Sequence, residues 1–190
     1  MAGESSEVVF QNVSQLIMTT QSLHPIILQD YSPHYPSFFT QEAKEVSAYF
    51  PRGVLGCIEH IGSTAIPSIS SKPVIDILVE VRSFKEATHL VLPILEAQGY
   101  QYYWRDDRTR PHMMFIKGLD TPTKPTFHLH MAPREHPLWE RVYFKDYLND
   151  YPSIAKEYEQ LKIQLAKRFK YDRQSYTDGK AEFVKRITQQ

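Results

Sequence analysis

The sequence predicts an α+β domain: one mixed sheet through the middle of the chain, flanked by helices, with a helical C-terminal part. Three observations carry that expectation. Short runs rich in Val, Ile, Leu and aromatic residues lie between residues 54 and 131, bounded by Gly, Pro or charged turns. On both sides of that region apolar residues recur every three or four positions, the helical period. No internal repeat, low-complexity tract or heptad pattern points to another architecture. At 190 residues the chain can bury a sizeable core as one domain, expected over residues 25–190. Residues 1–24 are rich in Ser, Gln and Thr and read as a flexible N-terminal extension, with Val13, Leu16 and Ile17 enough for one helical turn.

Taken in order, Ile26–Leu28 reads as a short strand. Pro33 and Pro36 mark a turn, the second suited to open a helix at its first position. From Ser37 to Phe50, the residues Phe39, Ala43, Val46 and Phe50 form one helix face, and Pro51-Arg52-Gly53 ends it. Val54–His60 and Val74–Val81 are the central strands. Ser83 with Glu86 three residues on has the form of a capping box, opening a helix that closes at Gly99. Pro93 falls inside and should kink or divide it. Tyr100–Trp104 and Met113–Lys117 are strands separated by the charged turn Arg105–Arg110, and Thr126–Met131 is the last strand. Trp139, Val142, Tyr143, Tyr147 and Leu148 then share a helix face. Pro152 opens a long helix to about Phe169, with Ile154, Tyr158, Leu161 and Leu165 as its apolar stripe. Thr177 or Asp178 caps a final helix through Phe183 and Ile187.

The segment from Ile61 to Lys72 carries more small and hydroxyl residues than packing asks for. Gly62 permits close backbone approach, and Ser63 and Thr64 supply donors where a phosphate would rest. The alternative is an ordinary helix start with Ser63 or Thr64 as its N-cap. The loop is not a P-loop, because Lys72 stands ten residues after Gly62 rather than beside a second glycine. Lys72 reaches an anion if the loop curls back. Asp76 lies in an otherwise apolar strand, where a carboxylate must be hydrogen-bonded, paired or metal-bound. It would hold a divalent cation, or else cap the loop or pair with Lys72 or an Arg. On the same strand face, Leu78 offers a cation nothing, and Glu80 is about 13 Å from Asp76.

His128-Leu129-His130 places two imidazoles on one strand face about 7 Å apart, able to converge on a metal, phosphate or water. Imidazole donors admit Mn²⁺ as well as Mg²⁺, with Zn²⁺ a further choice. Glu59 and His60 close the first central strand. If the three strands adjoin, Glu59, His60, Asp76, His128 and His130 meet at one end of the sheet. Among the arginines at 105, 108, 110, 134 and 141, one or two near that end would bind a triphosphate or carboxylate bidentately.

The 22 basic and 22 acidic residues balance, so charge gives no reason to expect nucleic acid or an anionic membrane as partner. No run approaches the ~18 apolar residues of a membrane span. Met1–Gln11 lacks a basic stretch followed by an apolar one, so no signal peptide is expected. The single Cys57, set in an apolar run, reads as a structural thiol and cannot form an internal disulfide. These features together predict a cytoplasmic protein whose partner is a small molecule. Oligomeric state is left open.

Glu59-His60-Ile61-Gly62-Ser63-Thr64-Ala65-Ile66-Pro67 followed by Lys72-Pro73-Val74-Ile75-Asp76-Ile77 closely resembles the GrpB family, also called UPF0157. The likeness extends through Tyr31-Ser32-Pro33-His34-Tyr35-Pro36, Gly99-Tyr100, Phe115-Ile116-Lys117-Gly118 and His128-Leu129-His130. It continues through Phe144-Lys145-Asp146-Tyr147-Leu148 to Tyr176-Thr177-Asp178-Gly179-Lys180, and covers about residues 26 to 187. The family is grouped with the nucleotidyltransferase superfamily, whose sites pair a Gly-Ser loop with two carboxylates one residue apart on a strand and a third from a later strand. The resemblance therefore implies a nucleotidyltransferase-like sheet, with Gly62 and Ser63 as the loop and Asp76 as the first carboxylate. Leu78 occupies the second carboxylate's position, and His128 and His130 lie on the strand of the third. Some members resemble fusions to dephospho-CoA kinase, which implies coenzyme A or nucleotide metabolism. Ser68 stands where the family commonly has glycine, and Ser70 and Ser71 where it has alanine.

The leading expectation is nucleotidyl transfer to a small acceptor. Asp76, His128 and His130 would be catalytic; Gly62, Ser63, Thr64, Lys72 and His60 would bind substrate; and Asp76, Glu59, His128 and His130 would hold Mg²⁺ or Mn²⁺. The alternatives are a non-catalytic nucleotide- or CoA-binding module, and a metal-dependent phosphohydrolase built on the histidine pair.

Overall fold

Val74–Val81, the longest of the aliphatic runs, takes the place its composition demands: the interior of the sheet, flanked on both edges by other strands. The computed structural model describes residues 25–105, 111–119 and 125–189. The proposed extension, residues 1–24, and most of the charged turn Arg105–Arg110 lie outside them. Five strands form one sheet: β1 (Leu55–Ile61), β2 (Val74–Val81), β3 (Gln101–Arg105), β4 (His112–Lys117) and β5 (Thr126–Ala132). Their order is β1-β2-β5-β4-β3. β2 and β5 run parallel, and every other neighbouring pair is antiparallel. The α+β class expected from the sequence is the class observed.

Alternation sorts the central strands into two faces. Ile75, Ile77, Val79 and Val81 of β2 face one way with Leu129, Met131, Met113 and Phe115, and make the main core. Three helices cover it: α1 (Tyr35–Ala48), α2 (Phe84–Leu90) and α3 (Leu92–Ala97). α1 begins two residues before Ser37, with Pro36 in its first turn. It brings Glu42 into the core at 4% exposure. That carboxylate accepts from the Tyr100 hydroxyl and, at 2.8 Å, from Lys117 Nζ, so the buried charge is paired. The capping box at Ser83 forms on its helix side, with Ser83 Oγ accepting from Glu86 N–H at 3.1 Å. Pro93 divides the helix rather than kinking it. Val91 ends α2 and leads into α3, yet Ala87, Val91 and Leu95 keep one buried stripe across the break.

The opposite face carries Asp76, Leu78, His128 and His130, and the C-terminal helices gather over it. These are α4 (Glu140–Asp150), α5 (Pro152–Arg168), α6 (Arg173–Asp178) and α7 (Ala181–Thr188). Ile66 and Ile69 of the loop after β1 pack into Phe144, Leu148, Ala155, Tyr158 and Ile187, so three helices from distant chain press on the loop.

Two expected elements differ. Ile26–Leu28 is not a strand: its neighbourhood makes only a single bridge, Gln29 to Ser71, and Ile26 instead docks against Leu165 and Tyr176. A loop residue offers no ladder to extend. Thr177 and Asp178 do not cap the last helix, because they lie inside α6, which Asp172 caps by accepting from Ser175 N–H at 2.9 Å. Gly179 then breaks the chain where a Cβ would run into Leu165, and α7 starts at Ala181. Among the described residues, no helix is long and apolar enough to cross a membrane.

Candidate functional site

Parallel pairing of β2 with β5 sets Asp76 opposite His128 and Leu78 opposite His130. With the strands one ladder spacing apart, the carboxylate therefore has both imidazoles within reach. His128 Nδ1 and His130 Nε2 each lie 3.3 Å from the same oxygen, Asp76 Oδ1. The one ligand atom offered by each of these residues lies within 4.8 Å of the others, the spacing of a metal-binding triad.

His130 is held on both sides. Its Nδ1 lies 3.0 Å from His112 Nε2, and both rings are buried. Burial drives the His130 pKa down to about 3, so the ring is neutral, with its Nε2 facing a carboxylate. Burial alone would raise Asp76, but hydrogen bonds from His128 and His130 hold it well below the usual carboxylate range. The hydrogen-bond pattern then assigns the tautomers: Nε2–H of His130 donates to Asp76, and Nδ1 accepts from Nε2–H of His112. A cation on this triad would take the place of the Nε2 proton, and His112 would fix the ring from behind. One carboxylate oxygen and two imidazole nitrogens form a donor set suited to first-row transition ions, whereas Mg²⁺ prefers oxygen ligands.

The loop after β1 closes over Asp76 from above. Gly62 has φ +73° and ψ −175°, a region that only glycine occupies readily, and a Cβ there would collide with Asp76 Oδ2. Glycine is therefore required twice over, for its backbone angles and for the approach of the carboxylate. Ser63–Ala65 forms a 3₁₀ turn with Gly62 at its N-cap, so neither Ser63 nor Thr64 is a side-chain cap. Ser63 meets the Tyr158 side chain from α5. Thr64 is buried and donates to Val74 O at 2.9 Å while accepting from His60 Nε2, 3.1 Å away.

His60 and Glu59 do not join the triad. His60 alternates onto the main-core face, stacked on Phe39 with centroids 4.8 Å apart, and burial lowers its pKa to about 4. It ties the loop to the sheet through Thr64. Glu59 shares the Asp76 face but pairs with Leu78 rather than with Asp76, and it lines a shallow cavity with Arg134, Trp139 and Asp146. The Cys57 thiol sits beside it, 3.4 Å from Glu59 Oε1, half-buried and raised in pKa first by burial. Leu78 is fully buried with Ile61, Ala132 and Leu138, so the second acid's position belongs to this apolar cluster.

Lys72 lies with its Nζ 5.9 Å from the centroid of the Tyr176 ring, and burial lowers its pKa against the attraction of Asp76. Two further lysines escaped the sequence reading. Lys162 on α5 is 1% exposed and donates to Ser70 O at 2.5 Å. Its signal was available: Ala155, Tyr158, Lys162 and Leu165 are the buried stripe of α5, and a lysine at that spacing is out of place on an apolar face. Lys180, between α6 and α7, and Lys72 both approach the ring of Tyr176. His112 had no sequence signal, since its partner is eighteen residues away on the neighbouring strand.

Buried neutral histidines make stability depend on pH. The folded pKa values of about 4 for His60 and about 3 for His130 lie below the ordinary 6.5. Unfolding therefore takes up protons below pH 6.5, and stability falls as pH drops through that window toward the folded values. The limiting slope is ~1.4 kcal/mol per pH unit for each histidine. Denaturant midpoints recorded from pH 7 to pH 4 will show this decline, and a flat profile would mean that the rings are not buried neutral.

A family profile described as "GrpB: GrpB protein" matches residues 25–190. The chain belongs to the GrpB family. The crystal structure of the conserved protein GrpB from Enterococcus faecalis is similar to this GrpB chain with a TM-score of 0.72 and 30% identity, covering 86% of this chain and 95% of that one. The glutamate-rich protein GrpB of Alkalihalophilus pseudofirmus is 35% identical over 164 residues, 85% of this chain and 93% of the relative. A UPF0157 protein of Pseudomonas aeruginosa is 38% identical over 156 residues, or 82% of this chain. The chain spans 63% of the length of that Pseudomonas relative and 49% of a Bacillus subtilis one, YqkA.

Proposed function

We propose that this GrpB chain binds a nucleotide or CoA-type phosphate ligand together with a divalent cation, and transfers a nucleotidyl group to a small acceptor. One observation carries the reading: the Asp76–His128–His130 triad lies directly beneath the glycine of a Gly-Ser-Thr turn. A cation at the triad and phosphate oxygens at the turn would share one wall, the arrangement that phosphoryl chemistry uses to position and neutralise charge. The donor set favours Mn²⁺ over Mg²⁺. When bound, such an ion supplies Lewis-acid neutralisation of phosphate charge. The chain's own contributions are the Gly62 turn, which receives the phosphate, and Lys72, which offsets its charge. His128, the outer imidazole of the triad at 18% side-chain exposure, is the base candidate if the cation rests on Asp76 and His130, and a ligand otherwise. A cytoplasmic setting, where such ligands are made, belongs to the same reading.

A specific observation favours the second reading, a binding module without turnover. Leu78 fills the position of the second acid with a buried aliphatic side chain, so a pair of metals has nothing to bridge them. Titration with ATP, CTP and CoA in Mn²⁺ or Mg²⁺, combined with a pyrophosphate-release assay, separates the two. Transfer predicts pyrophosphate release that Asp76→Ala abolishes, with Mn²⁺ affinity reduced by at least ~100-fold. Metal-dependent binding without release supports the module, and no binding of any of the three ligands would sink both readings.

A further inference from the structure

The two edges of the sheet are finished differently. β1 carries a bulge between Leu55 and Ile58, and α1 and α4 both pack against it. Glu80 lies over Gly56, where a Cβ would collide with it, and accepts from Cys57 N–H at 3.3 Å. Bulges, charged side chains and covering elements are the devices that keep an edge strand from recruiting another chain. β3 is built the other way. It pairs with β4 in unbroken register from Gln101 to Arg105, contains no Pro or Lys, and at five residues is of ordinary length. Among the described residues no strand pairs with its outer edge. Its middle is Tyr102-Tyr103-Trp104, and Trp104 is 46% exposed. That indole is held edge-to-face on Phe84, with centroids 5.3 Å apart. Along such an edge, alternate backbone N–H and C=O groups point outward and can template a further strand.

We propose that β3 is a self-association edge, pairing antiparallel with β3 of a second copy of this chain in the two-fold register that sets Tyr103 opposite its own counterpart. The strand is complementary to itself in that register. Tyr102 lies opposite the partner's Trp104, and the two-fold repeats the pair. Because Tyr102 and Trp104 pair with Phe115 and Met113, these rings extend the main core face across the junction. On the other face Gln101 lies opposite the partner's Arg105. Gln101 Oε1 already accepts from the Tyr103 hydroxyl at 3.0 Å and keeps a second lone pair for a guanidinium N–H. The two Arg105 residues stay about 14 Å apart along the strands, beyond the screening length at physiological salt. Moving the centre to Arg105 would set them directly opposite each other, and moving it to Tyr102 would carry Trp104 past the end of the partner strand. The balanced charge of the chain, 22 basic against 22 acidic residues, puts no long-range repulsion between copies. With β1 blunted, each chain offers one open edge, so the pairing closes at two copies instead of running on into a fibre. The product is a ten-stranded sheet with both Asp76 triads on the same side, their β5 strands about 24 Å apart. Neither triad is covered, so the pairing stands or falls independently of nucleotidyl transfer.

The test is sedimentation velocity on the whole chain over a concentration series from ~1 to ~200 µM, where a small interface of this kind should show a monomer–dimer equilibrium. Every substitution acts twice across the two-fold. Trp104→Lys should weaken dimerisation by at least ~10-fold. Gln101→Arg, which sets like charges opposite each other, should weaken it by ~5-fold, and Gln101→Glu should tighten it by ~3-fold. Gln101 and Trp104 are both exposed, so the melting temperatures of these variants at the lowest concentration should match the parent and exclude unfolding as the cause. Tyr143→Lys, at an equally exposed aromatic on α4, is the control and should leave the dimer intact. A dimer lost in Trp104→Lys, with opposite responses to the two Gln101 changes, supports the pairing. A chain that stays monomeric at the highest concentration, or that grows beyond two copies, overturns it. So does a dimer that yields to Tyr143→Lys but not to Trp104→Lys, or one in which Gln101→Arg and Gln101→Glu act alike.

Discussion

Gly62→Ala is expected to lower the melting temperature by ~5–10 °C and to abolish cation binding at the Asp76 triad. The first effect follows from φ +73° with ψ −175°, where a Cβ costs on the order of 1–3 kcal/mol before any contact is considered. In a chain of this size each kcal/mol moves the midpoint by about 2–4 °C. The second follows from geometry. The new methyl group would occupy the place of Asp76 Oδ2, so the carboxylate must rotate away from His128 and His130, or the turn must lift. Either movement separates the two halves of the site. Gly99→Ala is the control, since Gly99 has a comparable φ of +83° but open space around it. That variant should lose stability through backbone strain while binding Mn²⁺ as the parent does. Thermal melts with parallel Mn²⁺ titrations decide the matter, and a Gly62→Ala protein that binds as Gly99→Ala does would show that the close approach is unimportant.

Leu78→Asp, which would put an acid where the resemblance implies a second carboxylate, should cost the fold ~3–5 kcal/mol rather than create activity. Leu78 is 0% exposed and packs with Ile61, Ala132 and Leu138, with Phe84, Trp139 and Val142 at the margin. The new group would be protonated, or the strand would yield, and in both cases the loss exceeds the cavity effect of Leu78→Ala. Comparing denaturant midpoints for Leu78→Asp, Leu78→Asn and Leu78→Ala separates charge from volume. A stable Leu78→Asp protein that binds a second Mn²⁺ would instead mean that the cluster is a poised acid site.

Much of the scaffold was legible because it rests on local chemistry. β2 has the bounds that its aliphatic run suggests, Ser83 caps its helix, and Pro93 divides one. Asp76 stood out because a carboxylate among Val, Ile and Leu has few reasons to exist. The pairing that brings it to His128 and His130 was conditional on strand adjacency, which no local pattern encodes. His60 illustrates the cost of that gap. It is one residue from Glu59 and so faces the other side of the sheet, a parity that becomes readable only once Ile61 is paired with Asp76. The start of the last helix differs from expectation for a related reason: Thr177 and Asp178 are good caps by type, but Asp172 opens a short helix that runs through them. Lys162 was hidden by a stripe drawn one residue out of phase, through Ile154 and Leu161 rather than Ala155 and Lys162.

The staple formed by Ile66 and Ile69 with Phe144, Tyr158 and Ile187 has a kinetic meaning. The turn over Asp76 is fastened by side chains roughly 75 to 120 positions further along the chain, a loop closure that accumulates late and carries a large entropic toll. Strands β1 and β2, a local antiparallel pair, can form early, whereas the turn they support must wait for α4, α5 and α7. During synthesis the Asp76 strand would thus exist for some seconds as an open sheet edge before the turn closes over it. The closed turn over Asp76 is the last part of this sheet end to assemble, and in unfolding it should be the first to open.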